Sequence, residues 1–196
     1  MTVTQSDRHP VGLVVNDDLR RNRLTVFFRL LLAIPQLVWL WLWGIAVYVA
    51  VIIAWFAALF TGRVPEGIHT FVASWLRVST HVRAYMLLLA DPWPPFGGAF
   101  GTYPVDVRID GPDRQSRLTV FFRYLLAIPA LLLTYVFGIV NNLVAFLGWF
   151  YCLALGRMNE GMRDLSAWLL RFEVQTLAYL LLVTGRYPSL AGGPSA

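Results

Sequence analysis

The chain contains the same sequence pattern twice, and this repeat constrains the fold more than any other feature. Residues Arg23–Arg29 read Arg-Leu-Thr-Val-Phe-Phe-Arg, and the same run recurs at Arg117–Arg123. The copies align without a gap at an offset of 94 positions, and roughly 33 of the 88 aligned pairs are identical. Because an internal repeat defines the structural unit, we expect the two copies to fold alike.

The extent of the alignment predicts the domain organisation. Glycine and proline residues cluster between the copies, as in a linker. The predicted parts are an N-terminal tail at 1–8, a first membrane repeat at 9–96, a linker at 97–102, a second membrane repeat at 103–190 and a C-terminal tail at 191–196.

Each repeat contains one long run without a charged residue. The runs are Leu30–Phe60 and Tyr124–Leu155, and an uncharged apolar run of more than about 18 residues is typical of membrane insertion. The chain is 58% hydrophobic and 14% charged, against about 45–50% and 25% in soluble domains. The N-terminal residues lack the basic-then-apolar order of a signal peptide, so we expect the first run to be retained.

Every basic residue apart from histidine is arginine, and the formal net charge is +5. Arginine makes bidentate contacts with phosphate, which suits lipid headgroups; a genome-wide bias toward arginine codons is the alternative explanation. The arginines flank apolar runs instead of forming a soluble basic face, so no nucleic acid partner is expected.

A short β-like segment precedes each apolar run. Tyr103–Asp110 alternates apolar and polar residues, as a half-buried strand does, and Pro10–Asn16 alternates less cleanly. The two segments either pair with each other or serve as extended lead-ins.

The long runs are expected to be broken. A straight helix over Leu30–Phe60 would be about 46 Å long, while the hydrocarbon core is about 30 Å thick. A break at Gly44 or Gly138 gives a hairpin, whereas a break at Pro35 or Pro129 gives an interfacial helix and one crossing. The hairpin is favoured because it places the flanking arginines on one side of the membrane.

An amphipathic helix follows each run. In the first copy apolar residues recur at spacings of three and four, with His69, Arg77 and His81 away from that face. This pattern is typical of an interfacial helix and also fits a crossing helix packed in a bundle. The sequence thus predicts an all-α integral membrane protein of two tandem parallel repeats, each with a β-like lead-in, a broken apolar helical hairpin and an amphipathic helix.

The motifs also resemble a known family. The run Phe-Phe-Arg-x-Leu-Leu-Ala-Ile-Pro, followed by Ala54–Phe56, Phe60–Arg63, Arg83–Tyr85 and Pro94–Phe96, resembles the prokaryotic membrane family known as domain of unknown function 4389. The resemblance covers nearly the whole chain as two copies, the second more divergent. It implies a membrane location and the repeat unit, and it implies no activity or ligand.

Charged residues that recur in both copies form the candidate site. Paired arginines with a nearby glutamate suit a lipid headgroup, whereas the alternative is simple anchoring at the interface. The candidate headgroup contacts are Arg29, Arg63, Glu66, Arg77, Arg123, Arg157, Glu160 and Arg171, and the matching interfacial aromatics are Trp55, Tyr85, Trp149 and Tyr179.

No catalytic, metal-binding or cofactor site is expected. The three histidines have no ligand-like partner at close spacing, and Cys152 lies among apolar residues, where a thiol is usually inert. Neither a phosphate-binding loop nor a nucleophile elbow is present.

The resulting prediction is a non-catalytic, multi-pass protein of the inner (plasma) membrane with cytoplasmic termini. It would act as a scaffold, an accessory subunit or an anionic-lipid-binding module. Its expected partners are membrane lipids, and either another membrane protein or further copies of the chain. A small oligomeric transporter or lipid-moving protein and an enzyme acting on lipid phosphates remain alternatives.

Overall fold

The repeat reappears in the secondary structure. A computed structural model describes residues 9–191, so the predicted tail at 1–8 and residues 192–196 lie outside the described residues. Every element of the first copy has a counterpart 94 positions later, and the counterpart of the first helix is divided in two at Phe122. The elements are β1 (Val11–Val15), α1 (Arg23–Thr61), α2 (Glu66–Met86), β2 (Val105–Ile109), α3 (Arg117–Phe121), α4 (Arg123–Leu155) and α5 (Glu160–Leu180).

The two lead-in segments are strands, and they pair with each other. β1 and β2 form an antiparallel ribbon in which Leu13 lies opposite Val107. These two residues are also equivalent positions of the two repeats, so a pseudo-two-fold axis passes between them. The pairing alternative is therefore confirmed, and the all-α prediction is corrected to a mostly helical fold with a two-stranded sheet.

The first apolar run does not form a hairpin. α1 continues without a break through Gly44 for 39 residues, a length of about 58 Å. The ring of Trp75 of α2 lies beside Gly44, where a Cβ would be in ordinary contact with it at 3.8 Å. The Trp75 indole donates a hydrogen bond to Leu40 O at 3.1 Å. The hairpin prediction was wrong because α1 stays helical through this glycine, where α2 packs beside it and Trp75 bonds to its backbone.

Pro35 does not break α1 either. A proline removes one backbone hydrogen bond and crowds the preceding turn, and here the segment after α2 lies along that turn. Trp93 Nε1 donates to Leu32 O at 3.0 Å, and Gln36 Nε2 donates to Pro94 O at 2.6 Å. These two bonds fasten the segment after α2 to the helix on either side of Pro35, and α1 continues through the proline.

The second run behaves in the same way. α4 passes through both Pro129 and Gly138. Asn141, just after this glycine, is buried and donates to Ser166 O of α5. Neither run contains the predicted break, which corrects the broken-hairpin element of the fold class.

Both long helices bury only one narrow stripe. In α1 the buried residues fall at spacings of three and four, as on one helix face, and most of the remaining circumference is exposed and apolar. α4 has the same organisation. By length and composition these two helices are able to cross a membrane. The buried stripe of α1 consists of Val26, Arg29, Ala33, Gln36, Val47, Val51, Ala54 and Ala58.

The shorter helices form the interior. α2 contacts α1, α5 and β2, and α5 contacts α4, α2 and β1. His69 and His81 are buried, and Arg77 donates to a carbonyl of β2. The polar side of α2, expected to face the membrane interface, therefore faces other parts of the protein.

The repeats are interlocked by exchanged strands. β1 of the first repeat packs on α5 of the second, and β2 of the second packs on α2 of the first. Backbone bonds near the helix ends are exchanged in the same way. Arg21 N donates to Gly156 O at 2.9 Å, and the equivalent Gln115 N donates to Gly62 O at 3.0 Å. Neither repeat completes its core without the other.

Candidate functional site

Arg29 is the central polar residue of the first repeat. It lies on the buried stripe of α1, and only 2% of the residue is exposed. Nη1 donates to Tyr85 O at 2.6 Å and Ala90 O at 3.0 Å, and Nη2 donates to Asp91 Oδ1 at 3.0 Å. The guanidinium carbon also lies 4.4 Å from the centre of the Tyr85 ring, a cation–π contact.

Arg123 has the same role in the second repeat. Its Nη1 donates to Tyr179 O and, at 3.0 Å, to Thr184 O, and its guanidinium lies 4.5 Å from the centre of the Tyr179 ring. Gly185 is the second-repeat equivalent of Asp91 and offers no carboxylate. Arg123 Nη2 donates instead to Gln115 Oε1. The site therefore holds a guanidinium with an acidic partner in one repeat and an amide partner in the other.

The carbonyls around these arginines come from an unusual helix end. α2 ends in a Schellman-type turn in which Leu88 has φ +63°, a left-handed conformation usually taken by glycine. Leu89 N donates to Ala84 O at 2.9 Å and Leu88 N to Tyr85 O at 3.1 Å. Leu182 has the same φ after α5.

A side chain from before the long helix supports each of these turns. Arg21 Nε donates to Leu88 O at 3.0 Å, and the equivalent Gln115 Nε2 donates to Leu182 O at 3.0 Å. Arg21 is itself paired with Asp17 at 2.6 Å. Arg21 and Gln115 were not among the sequence candidates because their side chains differ, although they occupy equivalent positions and make equivalent bonds.

Arg77 binds the linker and β2, and Arg171 binds the chain just after the second repeat. Arg77 Nε donates to Val107 O at 3.0 Å and Nη1 to Gly98 O at 3.3 Å. Arg171 Nη1 donates to Ala191 O at 2.8 Å. Four of the six predicted headgroup arginines thus use their donors on the protein backbone, and headgroup contact by any of them stays a prediction.

The other four charged candidates lie on the surface. Arg63 and Glu66 flank the turn between α1 and α2, and Arg157 and Glu160 flank the equivalent turn. Within residues 9–191 no ion pair joins either arginine to its neighbouring glutamate. The structure therefore separates the sequence candidates into buried arginines near the helix ends and exposed charges at the turns.

The aromatic candidates also fall into two groups. Tyr85 and Tyr179 are buried under the arginines, at 1% and 2% exposure, so they present no surface to an interface. Trp55 Nε1 donates to Val120 O at 3.1 Å, and Trp149 Nε1 donates to Val26 O at 3.0 Å. The two tryptophans are partly buried where the repeats meet, and their contact with lipid stays a prediction.

The sequence did not predict the buried pair formed by His81 and Asp106. His81 Nε2 lies 3.1 Å from Asp106 Oδ1, and Asp106 also accepts hydrogen bonds at 2.6 Å from Gly101 N and Val107 N. Burial opposes ionisation, but the hydrogen bonds from His81 and the two amides leave the pKa of Asp106 below its usual value. The pair joins α2 to β2, and no close sequence spacing indicates it.

Two grooves lie at equivalent places between the repeats. The first, about 390 Å³, lies between the start of α1, the end of α2 and the second half of α4. The second, about 340 Å³, lies between the start of α4, the segment after α5 and the second half of α1. Equivalent residues line both, including Trp149 in the first groove and Trp55 in the second. Among residues 9–191 no cluster of three potential metal ligands is present.

Comparison with known proteins identifies the repeat unit. The family model described as Domain of unknown function (DUF4389) matches residues 23–97 and again residues 117–191. The first match begins at the first residue of α1 and the second at the first residue of α3, and each ends just after the proline-containing close of its repeat. No curated protein and no solved structure matches the chain.

Proposed function

We propose that this chain, which belongs to the family DUF4389 as two tandem copies, is a non-catalytic scaffold embedded in a membrane. α1 and α4 would lie in the hydrocarbon region. The sheet and the polar loops would lie on the aqueous side, available to a partner protein or a further copy of the chain. The family description carries no activity, so the proposal rests on the fold and its surface.

The observation that carries the proposal is the apolar surface of the long helices. Large side chains extend outward all along them, with Leu30 and Tyr135 each 71% exposed and Trp41 68% exposed. Soluble monomers rarely expose contiguous apolar patches beyond a few hundred Å². A helix that is apolar on nearly all sides and packs along one stripe is suited to a lipid environment.

The geometry supports helices that run along the membrane plane. A helix of about 58 Å would need a tilt of about 60° to fit a core of about 30 Å, beyond the usual range of about 0–40°. The start of α1 contacts the end of α4, and the end of α1 contacts α3, so the long helices are antiparallel. If the two helices crossed the membrane, the two repeats would have opposite orientations relative to it. If the helices lie in the membrane plane, the two repeats have the same orientation.

Charge supports the same orientation. Exposed arginines lie at both ends of the long helices, and crossing would place them on both sides of the membrane. In-plane helices leave all of them on one side, which agrees with the bias of positive residues toward the cytoplasm. On this proposal the headgroup contacts are the exposed arginines Arg23, Arg63, Arg114, Arg117 and Arg157, two of which were sequence candidates.

The test is the sidedness of the two ends of α1. Cys152 is replaced by Ala, the residue at the equivalent position 58, and a single Cys is introduced at Asp18 or at Arg63, both exposed. Intact and lysed cells are labelled with a membrane-impermeant thiol reagent. The proposal expects both positions to give the same result, with protection in intact cells and labelling after lysis.

Opposite results at the two positions would overturn the in-plane arrangement. α1 would then cross the membrane, the repeats would be inverted, and the transporter alternative would be favoured. Labelling of both positions in intact cells would agree with the in-plane arrangement, but it would show that the polar face lies on the outer side of the membrane. The Cys152→Ala protein without an added cysteine gives the background.

A further inference from the structure

We propose that the first groove binds a single acyl chain carrying an anionic head, and that Arg83 binds the head. This inference rests on the proposed membrane location and assigns a specific site within it. The ligand is defined by its chemistry: a hydrocarbon chain ending in a carboxylate or phosphate, either as a free fatty acid or as part of an anionic phospholipid.

The groove has the composition of a site for an amphiphile. Phe27, Leu30, Phe146 and Trp149 give it apolar walls. Its volume of about 390 Å³ lies within the range of about 300–1,000 Å³ typical of small-molecule sites. Such sites combine apolar walls with a few polar groups that orient the ligand, and here those groups are contributed by two arginines and an asparagine.

Arg83 has unused donors at the groove. Its Nε lies 3.3 Å from Glu173 Oε1, and 30% of its side chain is exposed. Among residues 9–191 the guanidinium has no other ion-pair or hydrogen-bond partner. Both terminal nitrogens of its planar fork are therefore available to a carboxylate or phosphate.

Arg29 adds a second cationic group beneath the groove. Its Nη atoms bind the protein, but its Nε is buried and has no hydrogen-bond partner among the described residues. An unsatisfied buried donor is unfavourable, and Arg29 is 2% exposed and lines the same groove. The equivalent Arg123 Nε is likewise unpaired among the described residues, so the free fork of Arg83, present only in the first repeat, is the feature that favours an anion here.

The second groove provides an internal control. It has the same position in the other repeat, but Leu177 stands at the position of Arg83 and Tyr48 at the position of Asn142. Its lining contains no charged residue. Both grooves therefore have apolar walls, but only the first has the Arg83 guanidinium. Only the first groove should therefore prefer a ligand with an anionic head.

The experiment uses lipid-induced quenching of tryptophan fluorescence on the full chain in phosphatidylcholine vesicles. The probes are dibrominated fatty acid, brominated phosphatidylglycerol and brominated phosphatidylcholine. Trp149 reports on the first groove, Trp55 on the second, and Trp41, on the exposed surface of α1, on general insertion. The signal of each tryptophan is the difference in fluorescence quenching between the parent protein and the variant in which that tryptophan is replaced by Phe.

We expect the anionic probes, the fatty acid and phosphatidylglycerol, to quench Trp149 at about tenfold lower concentration than phosphatidylcholine does. A tenfold difference in affinity is the effect expected of one charge-assisted hydrogen bond. Trp55 should respond equally to anionic and zwitterionic probes. In Arg83→Leu, which copies the second repeat, the preference at Trp149 should be lost. Quenching by the fatty acid alone would identify a free acid, and quenching by phosphatidylglycerol would identify a phospholipid.

Equal quenching of Trp149 by all three probes, or an unchanged preference in Arg83→Leu, would overturn the groove assignment. If Trp41 is also unquenched, the protein is not in contact with hydrocarbon and the proposed function itself fails. Native mass spectrometry of purified wild type and Arg83→Leu gives a second readout that leaves the tryptophans unchanged. Equal retention of anionic lipid by both proteins would count against the site.

Discussion

Arg29 lies over the ring of Tyr85 and binds the carbonyl of the same residue, and Arg123 has the same relation to Tyr179. Each arginine links the buried stripe of a long helix to the last turn of the shorter helix that packs against it. Each arginine therefore contacts the end of the shorter helix both through the tyrosine ring and through the tyrosine carbonyl. These pairs are therefore parts of the core, and their removal should be felt as lost stability.

We predict that Arg29→Ala lowers the free energy of unfolding by about 3 kcal/mol, because it leaves buried carbonyls and Asp91 without their partner. Arg63→Ala, at an exposed turn, should change it by less than about 0.5 kcal/mol. Urea denaturation in detergent micelles measures both. Equal effects of the two substitutions would show that Arg29 has no special structural role.

The stability of the protein should depend on Asp106 at acidic pH. Its pKa lies below the usual value in the folded protein, so the ionised carboxylate contributes stability above the unfolded pKa of about 4. That contribution is lost as the pH falls through the lower, folded pKa.

Asp106→Asn should therefore be less stable than wild type at neutral pH, and the difference should shrink as the pH falls below about 4. Thermal unfolding from pH 7 to pH 3 measures this dependence. A difference that stayed constant over this range would mean that ionisation of Asp106 does not contribute.

The linker should tolerate alanine at one glycine and not at its neighbour. A Cβ on Gly98 would lie 2.7 Å from backbone carbons of Ser74, whereas a Cβ on Gly97 would meet nothing within 4 Å. Gly98→Ala should cost about 2 kcal/mol or more through overpacking, and Gly97→Ala should have little effect. Melting temperatures of the two variants provide the comparison, and similar values would contradict the close packing of the linker on α2.

The two cross-repeat tryptophan bonds should contribute equally and independently. Trp55→Phe and Trp149→Phe each remove one indole-to-carbonyl bond and should each cost about 1 kcal/mol. The bonds lie at opposite ends of the long helices and share no partner, so the double variant should lose about the sum. A double-mutant cycle by urea denaturation would reveal any coupling as a departure from additivity.

Local patterns predicted the parts of this fold that depend on local chemistry. The alternation in Tyr103–Asp110 predicted a strand, and the repeat offset predicted a matching set of elements. The hairpin failed because the sequence around Gly44 does not show that Trp75, 31 positions away, packs beside the helix and bonds to Leu40 O. Likewise, nothing near Pro35 indicates that Trp93 supports the helix at that point.

The candidate site was predicted in composition but not in arrangement. Recurring charge identified Arg29 and Arg123, yet their burial depends on carbonyls released by left-handed leucines, a conformation that leucine rarely signals in sequence. Arg83 was overlooked because it has no charged counterpart in the second repeat. A comparison of where the repeats differ, and not only where they agree, would have drawn attention to it.

The exchange of strands has a consequence for how the protein is made. α2 is covered by β2, which is synthesised later, whereas α5 emerges when its strand β1 already exists. During synthesis the first repeat therefore has its long apolar helix complete and its interior unfinished until β2, which ends at Ile109, has left the ribosome. A membrane or a chaperone that shields α1 during this interval would protect the nascent chain from aggregation.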